Sequence, residues 1–219
     1  MCGRFNQTAS GEEVAEAFGL DEAEPLVPRY NICPTQPAAV VGVKPATGRR
    51  RLAQLAWGLI PRSAIGKERV LINARSESAW ERPAFAEAFS KRRCLIPATG
   101  FYEWQKLDAK RRQPWLFRLA APGPFAFAGL WEPAAAFPGA TPTFTILTTE
   151  PNDVTRRVHD RMPVILSPAD YALWLDPAVT LPAAVRPLLR PFPDAMSALA
   201  VSSRVNNPAN DDPACLAPA

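Results

Sequence analysis

The chain has one histidine, His159, in 219 residues. Its four cysteines (Cys2, Cys33, Cys94 and Cys215) are scattered, with no C-x-x-C pair. These two scarcities exclude zinc-finger spacing and argue against a disulfide framework. No run approaches the roughly 18 uncharged apolar residues of a membrane span. The opening Met-Cys-Gly-Arg-Phe lacks the apolar stretch of a signal peptide. A cytoplasmic protein is therefore expected, monomeric, with no membrane association, no metal and no cofactor. Hydrophobic residues at 47% and charged residues at 21% predict an ordinary packed core. The length predicts a single domain over 1–219, with an ordered core of about 2–206 and a polar C-terminal tail.

Proline is abundant, 25 residues, which favours many short segments broken by turns over a helical bundle. Arginine outnumbers lysine twenty to five. A GC-rich coding sequence explains that bias, yet its consequence holds, because guanidinium suits bidentate phosphate contacts. The net charge of +4 is unevenly spread: residues 1–27 carry −5, residues 28–118 carry +12 and residues 119–219 carry −3. The central excess suits a phosphate-binding face. Two of its clusters, Arg49-Arg50-Arg51 and Lys110-Arg111-Arg112, read better as hairpin tips kept soluble by charge.

Ser10-Gly-Glu-Glu13 has the form of a capping box, with Val14, Ala17 and Phe18 on one helical face and Gly19 as the stop. Val27–Asn31 reads as irregular. Ala38–Val43 and Arg51–Trp57 read as strands, and Val70–Ala74 as a short extended piece. Pro83–Phe89 resembles an amphipathic helix. Cys94–Pro97, Phe101–Gln105, Trp115–Leu119, Phe125–Trp131 and Phe144–Thr149 are five β-prone runs separated by turn signals. Ser167-Pro168 predicts a helix through Leu175, and Ala198–Val205 a last strand. The sum is an α+β fold with a mainly antiparallel sheet and peripheral helices.

Cys2 is the most informative residue for chemistry. Once Met1 is removed, the chain begins with a 1,2-aminothiol. Its amine titrates near 7.7–8.0 and its thiol near 8.5 in unperturbed form, so both are nucleophiles at neutral pH. Such a pair captures an aldehyde as an imine and closes it to a thiazolidine. His159 lies in Val158-His-Asp-Arg-Met-Pro163, where a functional loop is expected. Glu103, in Gly100-Phe-Tyr-Glu-Trp104, shares a strand face with Phe101 and not with Tyr102 or Trp104. A carboxyl on an aromatic-rich strand is a candidate general acid. Asn73 is a neutral donor and acceptor following a buried-looking pair. Each of these residues alone also has a bland reading, as a packing, surface or turn residue.

Six segments together resemble the SOS response-associated peptidase (SRAP) family of abasic-site-processing proteins. They are Met1-Cys-Gly-Arg-Phe5, Pro28-Arg-Tyr-Asn31, Trp57-Gly58, Leu71-Ile-Asn-Ala-Arg-Ser-Glu77, Arg93-Cys-Leu-Ile-Pro-Ala-Thr-Gly-Phe-Tyr-Glu-Trp104 and Val158-His-Asp-Arg-Met-Pro163. They run in family order over nearly the whole chain. The resemblance implies one α+β domain with antiparallel strands curled into a barrel-like core. It implies single-stranded DNA containing an abasic site as partner, and a covalent crosslink through Cys2 that shields the lesion. It assigns Cys2, Asn73, Glu103 and His159 as catalytic: thiol and amine, positioning, proton exchange during sugar opening, and proton transfer in imine chemistry and reversal. It assigns Arg4, Arg75 and Arg161 to DNA contact and Trp57 to stacking near the lesion. The peptidase label implies self-cleavage of Met1.

Two other readings stay open on sequence alone. One is an N-terminal-nucleophile amidohydrolase of the glutaminase type, which also begins with Cys but needs no lone His and no arginine-rich centre. The other is a DNA-binding module without covalent chemistry, including one that recognises modified cytosine. Cys33, Cys94 and Cys215 are expected to be inert packing residues.

Overall fold

The computed structural model describes residues 2–44, 47–61, 70–134, 141–193 and 195–219. Among these residues thirteen strands are found: β1 (Arg4–Gln7), β2 (Arg29–Ile32), β3 (Pro37–Val43), β4 (Arg50–Trp57), β5 (Asn73–Arg75), β6 (Arg93–Ala98), β7 (Gly100–Lys106), β8 (Arg112–Leu119), β9 (Phe125–Glu132), β10 (Thr143–Thr149), β11 (Met162–Pro163), β12 (Ile165–Leu166) and β13 (Met196–Ala200). Four short helices lie between them: α1 (Gly11–Phe18), α2 (Ala86–Lys91), α3 (Tyr171–Leu175) and α4 (Pro182–Val185). None is long and apolar enough to cross a membrane among the described residues.

The strands form two sheets. The smaller runs β13-β8-β7-β1-β2, antiparallel throughout. In the larger, β10-β4-β3-β6-β9 is an unbroken path, and β9 pairs back onto β10. That return closes five strands into a ring, so the expected barrel-like α+β core is present. Closure removes the open edges on which unpaired backbone groups would be exposed. Strands β4 and β5 run parallel to their neighbour β10.

Period-two alternation divides the core. Ala38, Val40, Cys94, Ile96, Phe127, Phe144 and Ile146 point to one cluster, which also holds Cys2, Phe5, Phe101 and Phe117 of the smaller sheet. Ala39, Val41, Leu95, Ala128 and Leu147 point to the other, packed against Phe18, Phe89 and Trp174 of the helices. The residues of β6 are buried on both faces, as befits a strand between two layers. At Gly129, a Cβ atom would lie 2.1 Å from Ile96 Cδ1 and 3.0 Å from the Cys94 sulfur, so close strand approach requires glycine there.

Local signals explain the ends of the elements. Ser10 and Glu13 form the reciprocal capping box of α1, and Gly19 takes the left-handed conformation (φ 61°) that ends it. Helix α2 starts three residues later than the Pro83 expectation. Ser167-Pro168 begins a 3-10 turn that leads into α3, without a side-chain cap. The cluster Lys110-Arg111-Arg112 falls at the hairpin tip between β7 and β8, whereas Arg49-Arg50-Arg51 runs into β4, where Arg50 pairs with Val43 and donates to the Phe18 carbonyl. The last expected strand ends early: β13 stops at Ala200, and Ser203–Asn206 is a 3-10 turn. Beyond it, the segment read as a polar tail folds back. Asn31 donates its side-chain amide to the carbonyls of Val205, Asn207 and Asn210, while Asp211 accepts from the backbone N–H groups of Tyr30 and Asn31. Cys215 there is fully buried, and all four cysteines are free and buried.

Arg93 is the most demanding packing residue. Its buried guanidinium donates to five carbonyls, those of Phe89, Ser90, Trp174, Asp176 and Val179, and lies over the Trp174 ring at 5.6 Å. It thereby satisfies the carbonyl ends of α2 and α3 together. Arg93→Met is expected to destabilise the protein by about 3 kcal/mol, because it strands buried carbonyls. Urea unfolding measures this, and a loss below about 1 kcal/mol would show the carbonyls finding other partners.

Candidate active site

The two sheets meet where the chain begins. Arg4 pairs with Tyr102 and Phe5 with Phe101 across β1 and β7. Continuing that antiparallel register one step places Gly3 opposite Glu103, with Cys2 just beyond. Phe101 belongs to the cluster that holds Cys2, whereas Tyr102 and Trp104 face the third cluster with Val205 and Cys215. Glu103 is therefore on the Phe101 face, as alternation predicts, and is 3% exposed.

From the larger sheet, β5 brings Asn73 to the same point. Its amide nitrogen donates to the Cys2 carbonyl oxygen at 2.7 Å. The loop after β10 brings His159, whose Nε2 stands 3.9 Å from Glu103 Oε2. Cys2, Asn73, Glu103 and His159, distant in sequence, thus converge. Met1 lies outside the described residues. Among the described residues, no three His, Cys, Asp or Glu side chains converge as a metal-binding group.

Burial sets the protonation states. It raises the Glu103 carboxyl to about 7. It pushes the His159 imidazole below its usual value, although neighbouring Asp160 pulls the other way. It also raises the Cys2 thiol well above the usual range, and the nearby Glu103 charge adds to that. Glu103 and His159 thereby approach or even exchange their ordinary order of acidity, a pattern associated with acid–base pairs. Two contacts at His159 Nδ1 compete. The Arg161 backbone N–H donates to it at 3.0 Å, which needs a lone pair, while Asp160 Oδ1 lies 2.9 Å away, which favours a proton. The Asp160 side chain is 88% exposed, so water weakens its hold. The fixed backbone donor favours a lone pair on Nδ1, which in the neutral ring places the proton on Nε2, facing Glu103.

The residues expected to contact DNA divide. Arg75, on β5, is exposed beside the site. Arg4 spends its guanidinium within the protein, on Asn31 Oδ1 (2.8 Å) and the carbonyls of Val205 (2.7 Å) and Asn206 (3.3 Å). Arg161 forms a fork onto both oxygens of Glu77, at 2.6 and 2.9 Å. Burial would lift the Glu77 carboxyl, but the Arg161 bonds hold it below its usual value. Trp57 is fully buried between Phe5 (5.1 Å, edge-on) and Phe144 (6.4 Å, stacked), and its indole N–H donates to the Ile72 carbonyl. Neither face of that ring is open to a base, because the strand carrying it closes the barrel. A half-buried aromatic on the rim is Trp104, which sequence reasoning left without a role; it donates to Asn206 Oδ1 at 2.7 Å and lies 5.7 Å beneath Arg4. Glu77 and Asn31 were likewise overlooked. All three sit inside the six motif segments, which was the signal available.

This constellation defines a site built around an N-terminal cysteine, an acid and an imidazole. The family model described as SOS response associated peptidase (SRAP) matches residues 1–208, and the chain belongs to that family. The abasic site processing protein YoaM of Bacillus subtilis is 40% identical over 220 residues, 96% of this chain and 95% of its own. The abasic site processing protein HMCES of Xenopus tropicalis is 27% identical, over 99% of this chain and 78% of its own. A crystal structure of a protein from Bacteroides thetaiotaomicron matches over the whole of both chains, with a TM-score of 0.85 at 25% identity.

The raised Glu103 pKa has a signed consequence for stability. Between about 4.5 and 7 the folded carboxyl holds a proton that the unfolded chain releases, so wild-type stability falls as pH rises through that window. Glu103→Gln, which mimics the neutral form, should be stabilising relative to wild type at pH 8. That advantage should vanish near pH 4.5. A difference in unfolding free energy that stays constant across this range would contradict the assignment.

Proposed function

We propose that this protein binds abasic sites in single-stranded DNA and captures them covalently through Cys2 after removal of Met1. The observation that carries the reading is the convergence of Asn73, Glu103 and His159 on Cys2, together with the names of the relatives. The chemistry follows from the groups. An abasic deoxyribose is mostly a closed hemiacetal, so its ring oxygen must take a proton as the aldehyde forms. Glu103, part-protonated near neutral pH, is suited to give that proton and to recover one. The Cys2 amine then adds to the aldehyde carbon, and the hydroxyl leaves as water to give the imine. The thiol sulfur adds to the imine carbon while its proton passes to nitrogen, closing the thiazolidine. The sum is aldehyde plus aminothiol giving the ring and one water.

Asn73 fixes the Cys2 carbonyl, which orients the amine and thiol on either side of it. His159, neutral and with Nε2–H toward Glu103, relays protons during closure and during ring reopening. Arg75 holds the strand's phosphates at the entrance, and the paired Arg4 and Arg161 shape the rim. The same residues would assist hydrolysis of the Met1–Cys2 peptide bond, the self-processing that the family label suggests. The buried carboxyl beside Cys2 favours this reading over an amidohydrolase, in which the amine alone serves as base to the thiol.

Incubation of Met1-processed protein with a single-stranded oligonucleotide bearing one abasic site should give a heat-stable adduct with the mass of protein plus strand minus water. Cys2→Ala should yield none, and an undiminished heat-stable adduct in that variant would refute the proposal. His159→Ala should slow release from the adduct more than capture; equal release rates in variant and wild type would remove the relay role.

A further inference from the structure

Leaving the site along β5, the chain passes from Asn73 through Arg75 to Ser76 and Glu77. Three residues of extended chain span about 10 Å. Ser76 and Glu77 then line a cleft of about 520 Å³, walled on its far side by Trp80, Arg186, Pro187 and Leu189. Nothing in the chemistry of the Cys2 site uses this cleft. Its aromatic wall is held from behind, where Trp80 meets Phe89 edge-on at 6.1 Å, and its indole N–H donates to Glu81. On the other face the Arg186 guanidinium lies 3.9 Å from the ring centroid, in cation–π contact. Arg186 is exposed and makes no ion pair among the described residues; of the nearby carboxylates, Glu77 is clamped by Arg161 and Glu81 accepts from the Trp80 indole. Arg75, Arg82 and Arg190, each within two residues of a lining position, are exposed as well.

A flat indole with a guanidinium over it, in a cleft large enough for a nucleotide and edged by cations, matches one ligand chemistry. We infer that the Trp80–Arg186 cleft is a second subsite for the DNA strand, in which an undamaged nucleobase stacks on the Trp80–Arg186 layer while Arg186 donates to its phosphate. This rests on the single-stranded DNA reading above and extends it to a part of the strand beyond Arg75 from the captured sugar. Stacking accepts any base face, so this subsite adds affinity without sequence preference. Arg186 supplies both the stack and the charge, because a planar guanidinium serves aromatic faces and phosphates alike.

The test uses an undamaged fluorescent single-stranded 12-mer and fluorescence anisotropy across a salt series, so that no adduct contributes. Trp80→Ala should weaken binding roughly fivefold or more, and Trp80→Phe should restore most of it. Because Trp80 supports the α2 packing, Arg186→Ala provides the surface variant. It should weaken binding and lower the slope of log affinity against log salt by about 0.7, the signature of one lost phosphate contact to a single strand. Wild-type affinity and slope in both Arg186→Ala and Trp80→Ala would overturn the inference. If wild type binds the undamaged strand in this Trp80- and Arg186-dependent way yet forms no adduct with an abasic strand, the subsite stands and the crosslinking proposal fails. If wild type binds no single strand at all, both fall.

Discussion

One desolvated carboxyl organises the centre of this molecule. Glu103 sits on the inward face of a strand whose neighbours on that side are Phe101 and the aromatic seam between the sheets. An ionised carboxylate there loses hydration that no aromatic side chain replaces, so the group rises toward neutrality and depends on polar neighbours. Those neighbours come from separate parts of the chain. The opening residues are laid alongside by the β1–β7 register, His159 arrives from the loop after β10, and Asn73 ties β5 of the larger sheet to the Cys2 carbonyl of the smaller. The opening segment is thus an internal component of the sheet junction.

The arginines show why composition alone misassigns roles. The central third of the chain is strongly basic, which reads as a phosphate-binding face. In the folded protein the guanidiniums separate by what surrounds them. Arg93 is consumed by five carbonyls, Arg4 by the returning C-terminal segment and Arg161 by Glu77. A planar fork with five donors serves buried carbonyls as well as it serves phosphates, and sequence does not distinguish the two uses. Exposed cations remain at Arg75, around the Trp80 cleft and at such positions as Arg49, Arg51, Arg111 and Arg112, so the charge count alone does not say which of them an anionic strand would meet.

Much of the architecture was legible because its signals are local. The capping box and the glycine stop of α1 use neighbours three residues apart, and alternation placed Glu103 with Phe101 before any coordinates. The run from Cys94 through Thr149 declared its strands by β-branched and aromatic content between turns. What escaped depends on distant partners. β11 and β12 are two residues each and exist through pairing with β10 and β9. The C-terminal segment looked like a polar tail because Asn210 and Asp211 find their partners, Asn31 and Tyr30, far back in the chain. Trp57 carried an aromatic signal suited to stacking, but barrel closure put it between Phe5 and Phe144. Inside a two-faced strand, sequence cannot say which aromatic faces the ligand.

The thiol's environment also constrains the order of events at Cys2. Burial and the Glu103 charge both hold its proton on, so a thiolate attack on the sugar aldehyde would begin from a scarcely populated form. An unperturbed terminal amine titrates near 7.7–8.0, so a neutral amine is the more accessible nucleophile near neutral pH. Amine addition therefore precedes sulfur addition on the proposed path. Once the imine forms, its nitrogen is basic enough to receive the thiol proton as sulfur closes the ring, so the high thiol pKa ceases to be an obstacle. The same burial then works in favour of the product: the closed ring carries no thiolate and requires no charge to be buried. On the proposed path reopening runs that transfer backwards: the ring nitrogen gives up its proton as the C–S bond breaks and the sulfur regains one, and Glu103, beside Cys2, is the group placed to shuttle it.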